Sequence, residues 1–86
     1  MKINKEIVKR YFIADILYNL HKAQEEIKFF EKKYKTTLKD FEKEIQNSEE
    51  NFEKWDDYLE WKAAFKYYQE LQTQLKDLEN ADIKVS

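Results

Sequence analysis

Hydrophobic positions recur at steps of three and four residues along two long stretches of the chain, and this spacing predicts two long helices. In the first stretch, about 4–34, the positions are Ile13, Ile16, Leu20, Ala23, Ile27, Phe30 and Tyr34. In the second, about 49–80, they are Trp61, Ala64, Tyr68, Leu71, Leu75 and Leu78. Alternating steps of three and four are typical of a seam between packed helices.

A third, short helix is predicted between them, over about 37–46. Its apolar positions Leu38, Phe41 and Ile45 fall on one face, and Thr36 or Thr37 is a suitable N-cap. Asn47 or Ser48 is then expected to cap the second long helix, which the spacing starts at about 49. Residues 81–86 follow as a tail whose Ile-x-Val alternation permits a short strand.

This order predicts an all-α fold, in which two long helices form an antiparallel hairpin around a short connecting helix. The 86 residues include no glycine, proline or cysteine. Tight hairpin turns and phosphate-binding loops depend on glycine, so their absence favours helices throughout. The heptad spacing also allows a parallel coiled coil, but the short connector favours the hairpin. Without cysteine no disulfide can form, and we expect a cytoplasmic protein.

The start of the first helix is apolar around more of its circumference than one seam requires. The residues beyond the seam are Ile7, Val8, Tyr11, Phe12 and Leu17. Such a helix is buried on more than one side. The extra faces pack against a second copy of the chain or against a different protein. Because two helices cannot enclose a core in so short a chain, we expect a homo-oligomer, a dimer that forms a helical bundle.

An acidic and aromatic segment opens the last helix. Residues 49–60 contain six acids and one lysine, a net charge of −5. We expect this segment to bind a basic partner, with Trp55 or Trp61 as anchor and with Asp56, Asp57 and Glu60 supplying charge. The alternatives are a solvated acidic face, and tryptophans buried between the chain's own helices.

Catalytic and metal chemistry have little support in this sequence. His21 is the only histidine, and the residue three before it is Tyr18, so the Glu-x-x-His pattern of di-metal bundles does not occur. We therefore expect no catalytic residue, no metal and no cofactor. The net charge of −2 and the single arginine disfavour nucleic-acid binding by this chain alone. No apolar run approaches the ~20 residues of a membrane span.

Two aromatic and acidic strings carry a resemblance to a known group. They are Tyr34-x-x-Thr37-x-x-x-Phe41-Glu42 and Phe52-Glu53-x-Trp55-Asp56-Asp57-Tyr58-Leu59-Glu60-Trp61-Lys62-Ala63. Over about residues 27–82 the chain resembles small acidic helical proteins of archaea and bacteria, the antitoxin members of toxin–antitoxin pairs. The commoner form has glycine and a hydrophobic residue where this chain has Lys35-Thr36. The resemblance implies a protein that binds and neutralises a cognate toxin.

Three functions are therefore compatible with the sequence. The first is a non-enzymatic, antitoxin-like inhibitor that masks a basic, RNA-acting protein. The second is a homo-oligomeric coiled-coil or helical-bundle protein with a structural or adaptor role. The third is a small nucleic-acid-binding dimer.

Overall fold

The computed structural model describes residues 4–47 and 51–80, and three helices account for most of them. They are α1 (Lys5–Tyr34), α2 (Leu38–Asn47) and α3 (Phe52–Asn80). Tyr34, at the end of α1, stacks on Trp61 in the first half of α3. Ile16, early in α1, shares a groove with Leu78 at the end of α3. The two long helices are thus antiparallel, which confirms the predicted all-α hairpin. The predicted tail, 81–86, lies outside the described residues.

Polar side chains cap the start of each helix. The Asn4 side chain accepts a hydrogen bond from the Ile7 amide at 2.9 Å, and Thr37 Oγ1 accepts one from the Asp40 amide at 3.3 Å. At α3 the Asn51 side chain accepts from the Lys54 amide at 3.3 Å. α3 therefore begins at Phe52, later than predicted, because Asn51 caps it. Asn47 is instead the last residue of α2, and Ser48 lies outside the described part of the chain.

The break between α1 and α2 is made by a lysine in a left-handed conformation. Lys35 has φ 53° and ψ 42°, and it follows directly after the last residue of α1. Helices commonly end on such a residue, and glycine is the usual choice because it has no Cβ to clash with the backbone. Lys35 has a Cβ, so the chain turns here at a conformational cost.

The core is concentrated at the end of the hairpin where α2 docks. Phe30 of α1, Phe41 and Ile45 of α2, and Tyr58 and Trp61 of α3 are all buried in one cluster. Ile27, Tyr34 and Leu38 pack against its edge. Every element thus contributes large side chains to the same place, which we call the head of the molecule.

The other end of the hairpin is thinner. The molecule measures 59 × 20 × 18 Å. With 10 residues against the 30 of α1, α2 is about 15 Å long and covers only a third of α1. Beyond it, burial is complete only at Ala23, Ala64 and Leu71. The remaining seam residues there are half-buried: Ile13, Ile16, Leu20, Tyr68, Leu75 and Leu78. The seam predicted from the sequence is present, but past α2 it is only partly covered.

Leu71→Ala should lower the free energy of unfolding by ~2–5 kcal/mol, because it leaves a cavity in the seam. Leu71 is 4% exposed, whereas Leu59, on the same helix, is 58% exposed. Leu59→Ala is therefore the matched control and should change stability by less than about 0.5 kcal/mol. Urea denaturation followed by circular dichroism measures both. Equal effects would show that the helix register is wrong.

Lys35→Gly should stabilise the protein by up to about 1 kcal/mol. The substitution removes the ~1–2 kcal/mol of strain that a residue with a Cβ has in the left-handed region. Part of this gain is lost because glycine gives the unfolded chain more conformational freedom. Lys39→Gly is the control: it lies within α2 and should destabilise by about 1 kcal/mol. A loss of stability with Lys35→Gly would contradict the observed C-cap.

Candidate protein-interaction site

Trp61 occupies the centre of the core rather than the surface. It is 0% exposed and packs against the rings of Phe41 at 5.3 Å, Phe30 at 5.8 Å and Tyr34 at 6.3 Å between centroids. The expectation that Trp61 faces a partner is therefore replaced by the alternative that it is buried within the chain. Trp55 is 37% exposed, so it is the tryptophan that remains available to a partner.

Asp57 is also used within the chain. Its carboxylate accepts hydrogen bonds from Lys33 Nζ at 2.6 Å and from the Tyr34 hydroxyl at 2.5 Å. Lys33 also pairs with Glu53 at 3.3 Å. These contacts tie the last turn of α1 to the start of α3 beside the aromatic core. Asp57 was expected to offer charge to a partner, but its charge is already paired with Lys33, so its role in this fold is to hold the two helices together.

The two partners shift the pKa of Asp57 in a predictable direction. The hydrogen bond from Lys33, followed by that from Tyr34, lowers the Asp57 pKa below its ordinary value of 3.8. Burial, and then the bond to Asp57, raises the pKa of Tyr34 to about 12. The hydrogen bond to Asp57 raises the Lys33 pKa. All three groups therefore keep their neutral-pH charge states, which suits a structural contact rather than proton transfer.

Five residues at the start of α3 form a continuous exposed surface, which we call the acidic-aromatic face. Its members are Phe52, Trp55, Asp56, Leu59 and Glu60. Steps of three and four place them on one side of the helix. Phe52 is 80% exposed and Leu59 58%. Neither Asp56 nor Glu60 forms an ion pair with another described residue. Apolar side chains and free negative charge are thus presented together.

Two members of this face, Phe52 and Leu59, were not among the residues that the sequence predicted to bind a partner. The signal was present, because Phe52, Trp55 and Leu59 lie on a line beside the seam rather than in it. The prediction was based instead on the two tryptophans. Since tryptophan is favoured both in cores and at interfaces, the residue type could not separate Trp55 from Trp61.

A shallow acidic groove adjoins the face. Glu60 of α3 and Glu26 of α1 line it together with Ala63, Ala64 and Tyr67, and its volume is about 460 Å³. The small alanine side chains leave room between the helices, and both glutamates are exposed. Two carboxylates from different helices thus border one groove, which suits a lysine or arginine side chain of a partner.

The residues predicted at the start of α1 are exposed as a group, together with Tyr18. They are Ile7, Val8, Tyr11, Phe12 and Leu17. The chain's own helices therefore do not bury them. They lie at the thin end of the hairpin, far from the acidic-aromatic face.

No helix within residues 4–47 and 51–80 is long and apolar enough to cross a membrane. The same residues contain no group of three or more histidine, aspartate or glutamate side chains placed to hold a metal ion. His21 is exposed on α1.

Comparison of the chain with protein-family models, with curated proteins and with solved structures gives no match.

Asp57→Asn should destabilise the protein at neutral pH because it weakens the bond to Lys33. The Asp57 pKa is lower in the folded than in the unfolded chain. The carboxylate therefore stabilises the fold fully above pH ~4, and this stabilisation is lost as the pH falls through the pKa of Asp57 in the folded chain. The stability difference between wild type and variant should therefore shrink in acid.

Asp56→Asn is the matched control, since Asp56 is the exposed neighbour and lies outside the contact. Urea denaturation across the acid range compares the three proteins. A difference between wild type and Asp57→Asn that persists unchanged in acid would show that the carboxylate charge is unimportant.

Proposed function

We propose that this chain is a non-enzymatic protein-interaction module, an antitoxin-like inhibitor that binds and neutralises a basic, RNA-acting protein in the cytoplasm. The observation that carries the proposal is the acidic-aromatic face, where Phe52, Trp55 and Leu59 stand exposed beside Asp56 and Glu60. Large apolar side chains at the centre of an interface supply most of its binding energy. Charge around them directs association with a partner of opposite sign.

The unpaired carboxylates of the acidic-aromatic face indicate a basic partner. Asp57 and Glu53 share one ion-pair partner, Lys33, whereas Asp56 and Glu60 are not paired with any described residue. Glu26 adds a third exposed carboxylate across the groove. The partner would therefore present lysine or arginine around an apolar patch. An RNA-acting protein is basic where it binds phosphates, and covering that surface would inhibit it.

The resemblance to antitoxins supports the same proposal from the sequence. The residues that carry it, 52–63, divide into two sets in the fold. Tyr58 and Trp61 are buried in the head, while Phe52, Trp55, Asp56, Leu59 and Glu60 form the exposed face. One string of residues would thus build the core with one side of the helix and bind the partner with the other.

Asp56→Lys combined with Glu60→Lys should slow association with a basic partner and abolish the acceleration of binding at low salt, because steering by opposite charge is lost. Phe52→Ala combined with Leu59→Ala should instead raise the dissociation rate at least about tenfold. The partner is captured on the tagged chain from the native cell, identified by mass spectrometry, and then measured by surface plasmon resonance.

Glu25→Lys combined with Glu31→Lys is the control, since it makes the same charge change at exposed positions on α1, outside the acidic-aromatic face. Circular dichroism verifies that all variants fold. Co-expression with the captured protein tests neutralisation: the wild type should restore growth and the charge-reversed variant should not. An acidic partner, or an unchanged association rate for Asp56→Lys with Glu60→Lys, would overturn the proposal, and so would RNA binding by the chain itself.

A further inference from the structure

The chain exposes more surface than a compact monomer of its size. The whole chain exposes 7205 Å², whereas a compact monomer of 10.7 kDa exposes roughly 5,500 Å². Its radius of gyration is 17.8 Å, against about 12 Å for a compact chain of this length. The excess, roughly 1,700 Å² of polar and apolar surface together, reflects the elongated shape of the whole chain, and it exceeds the ~800 Å² that each partner contributes to a stable interface.

The exposed side chains are concentrated at one place. Six large hydrophobic residues lie within three turns of α1, from Ile7 to Tyr18. Opposite them, Leu75 and Leu78 of α3 are only half-buried. Phe12, Ile16, Gln74, Asp77 and Leu78 line an open groove of about 380 Å³ between the two helices, to which α2 contributes nothing. Among the described residues, no third helix covers the seam here as α2 does at the head.

The net charges of α1 and α3 at this end indicate which surface fits against the open seam. Residues 5–22 of α1 contain four basic and two acidic residues, a net charge of +2. Residues 69–80 of α3 contain one basic and three acidic residues, a net charge of −2. The open end therefore carries opposite charge on its two helices. A two-fold symmetric pair that places α1 of each copy beside α3 of the other satisfies both contacts at once.

We propose that two copies of this chain pair through these open ends, α1 against α3 of the partner copy, and form a four-helix bundle with the two heads pointing away from each other. Each copy then provides the missing layer for the other's seam, and Phe12 and Val8 become core residues. The dimer carries an acidic-aromatic face at each end, so it can hold two partner molecules. The pairing uses a surface separate from that face and does not depend on the function proposed for it.

Phe12→Asp tests the interface, because it places a charge in the groove while removing a side chain that is more than half exposed in the single chain. We expect wild type to sediment as a dimer at micromolar concentration. Phe12→Asp should raise the dimer dissociation constant at least about tenfold. Phe52→Asp is the matched control, the same change at a still more exposed phenylalanine in the head, and should leave the dimer intact.

Circular dichroism separates dissociation from unfolding. If Phe12→Asp unfolds, Val8→Asp and Leu17→Asp, also exposed on α1, replace it. A wild type that is monomeric throughout the micromolar range would overturn the proposal. A dimer lost with Phe52→Asp but not with any of the α1 variants would overturn it as well.

Two measurements test the arrangement. Added salt should weaken the dimer, because α1 faces a helix of opposite charge; pairing of α1 with α1 would be strengthened instead.

A nitroxide label on Leu59→Cys, unique in this cysteine-free chain, should give a distance between copies of about 60 Å, from the 1.5 Å rise per residue and a two-fold axis near Ile13. A distance below about 30 Å would place the heads together and overturn the proposed bundle.

Discussion

The fold depends on the packing of aromatic rings around Trp61. Phe30 and Tyr34 from α1 and Phe41 from α2 contact its indole, so one side chain joins all three helices. A 10-residue helix is too short to be stable by itself, and α2 exists because Phe41 and Ile45 are buried against this centre. The indole Nε1 has no hydrogen-bond partner among the described residues. The ring contacts must therefore outweigh the cost of desolvating that N–H.

A polar contact closes the same core on its outer side. Lys33 and Tyr34 are adjacent on α1, and both reach Asp57 of α3. Tyr34 thereby contributes its ring to the aromatic core and its hydroxyl to the ionic contact. On the other side, the Tyr58 hydroxyl donates to Glu42 of α2 at 2.8 Å. At the head, α3 is thus joined to α1 and to α2 by ring packing together with a charge-assisted hydrogen bond.

The helices could be predicted from the sequence because their signals are local. Spacing predicted the seams of α1 and α3, and Thr36 or Thr37 indicated the start of α2. The cap of α3 was predicted at Asn47 or Ser48, whereas Asn51 caps the helix, because all three are suitable N-caps and the residue type alone does not choose among them. The partner-facing role of Trp61 failed for a related reason. Helical periodicity tells which residues share a face, but only the position of α2 decides which face becomes the core.

The same asymmetry accounts for the two surfaces that remain open. The large side chains of the core lie at the head. Beyond α2 the seam includes small buried residues, Ala23 and Ala64, and it is only half-covered further out. At the head the core residues are buried, although a cavity of about 720 Å³, lined in part by Leu38, Trp61 and Phe65, opens between the helices. Phe52 and Leu59 add nothing to the interior at 80% and 58% exposure. Their exposure beside Asp56 and Glu60, which form no ion pair with another described residue, is the observation on which the proposed interaction surface rests.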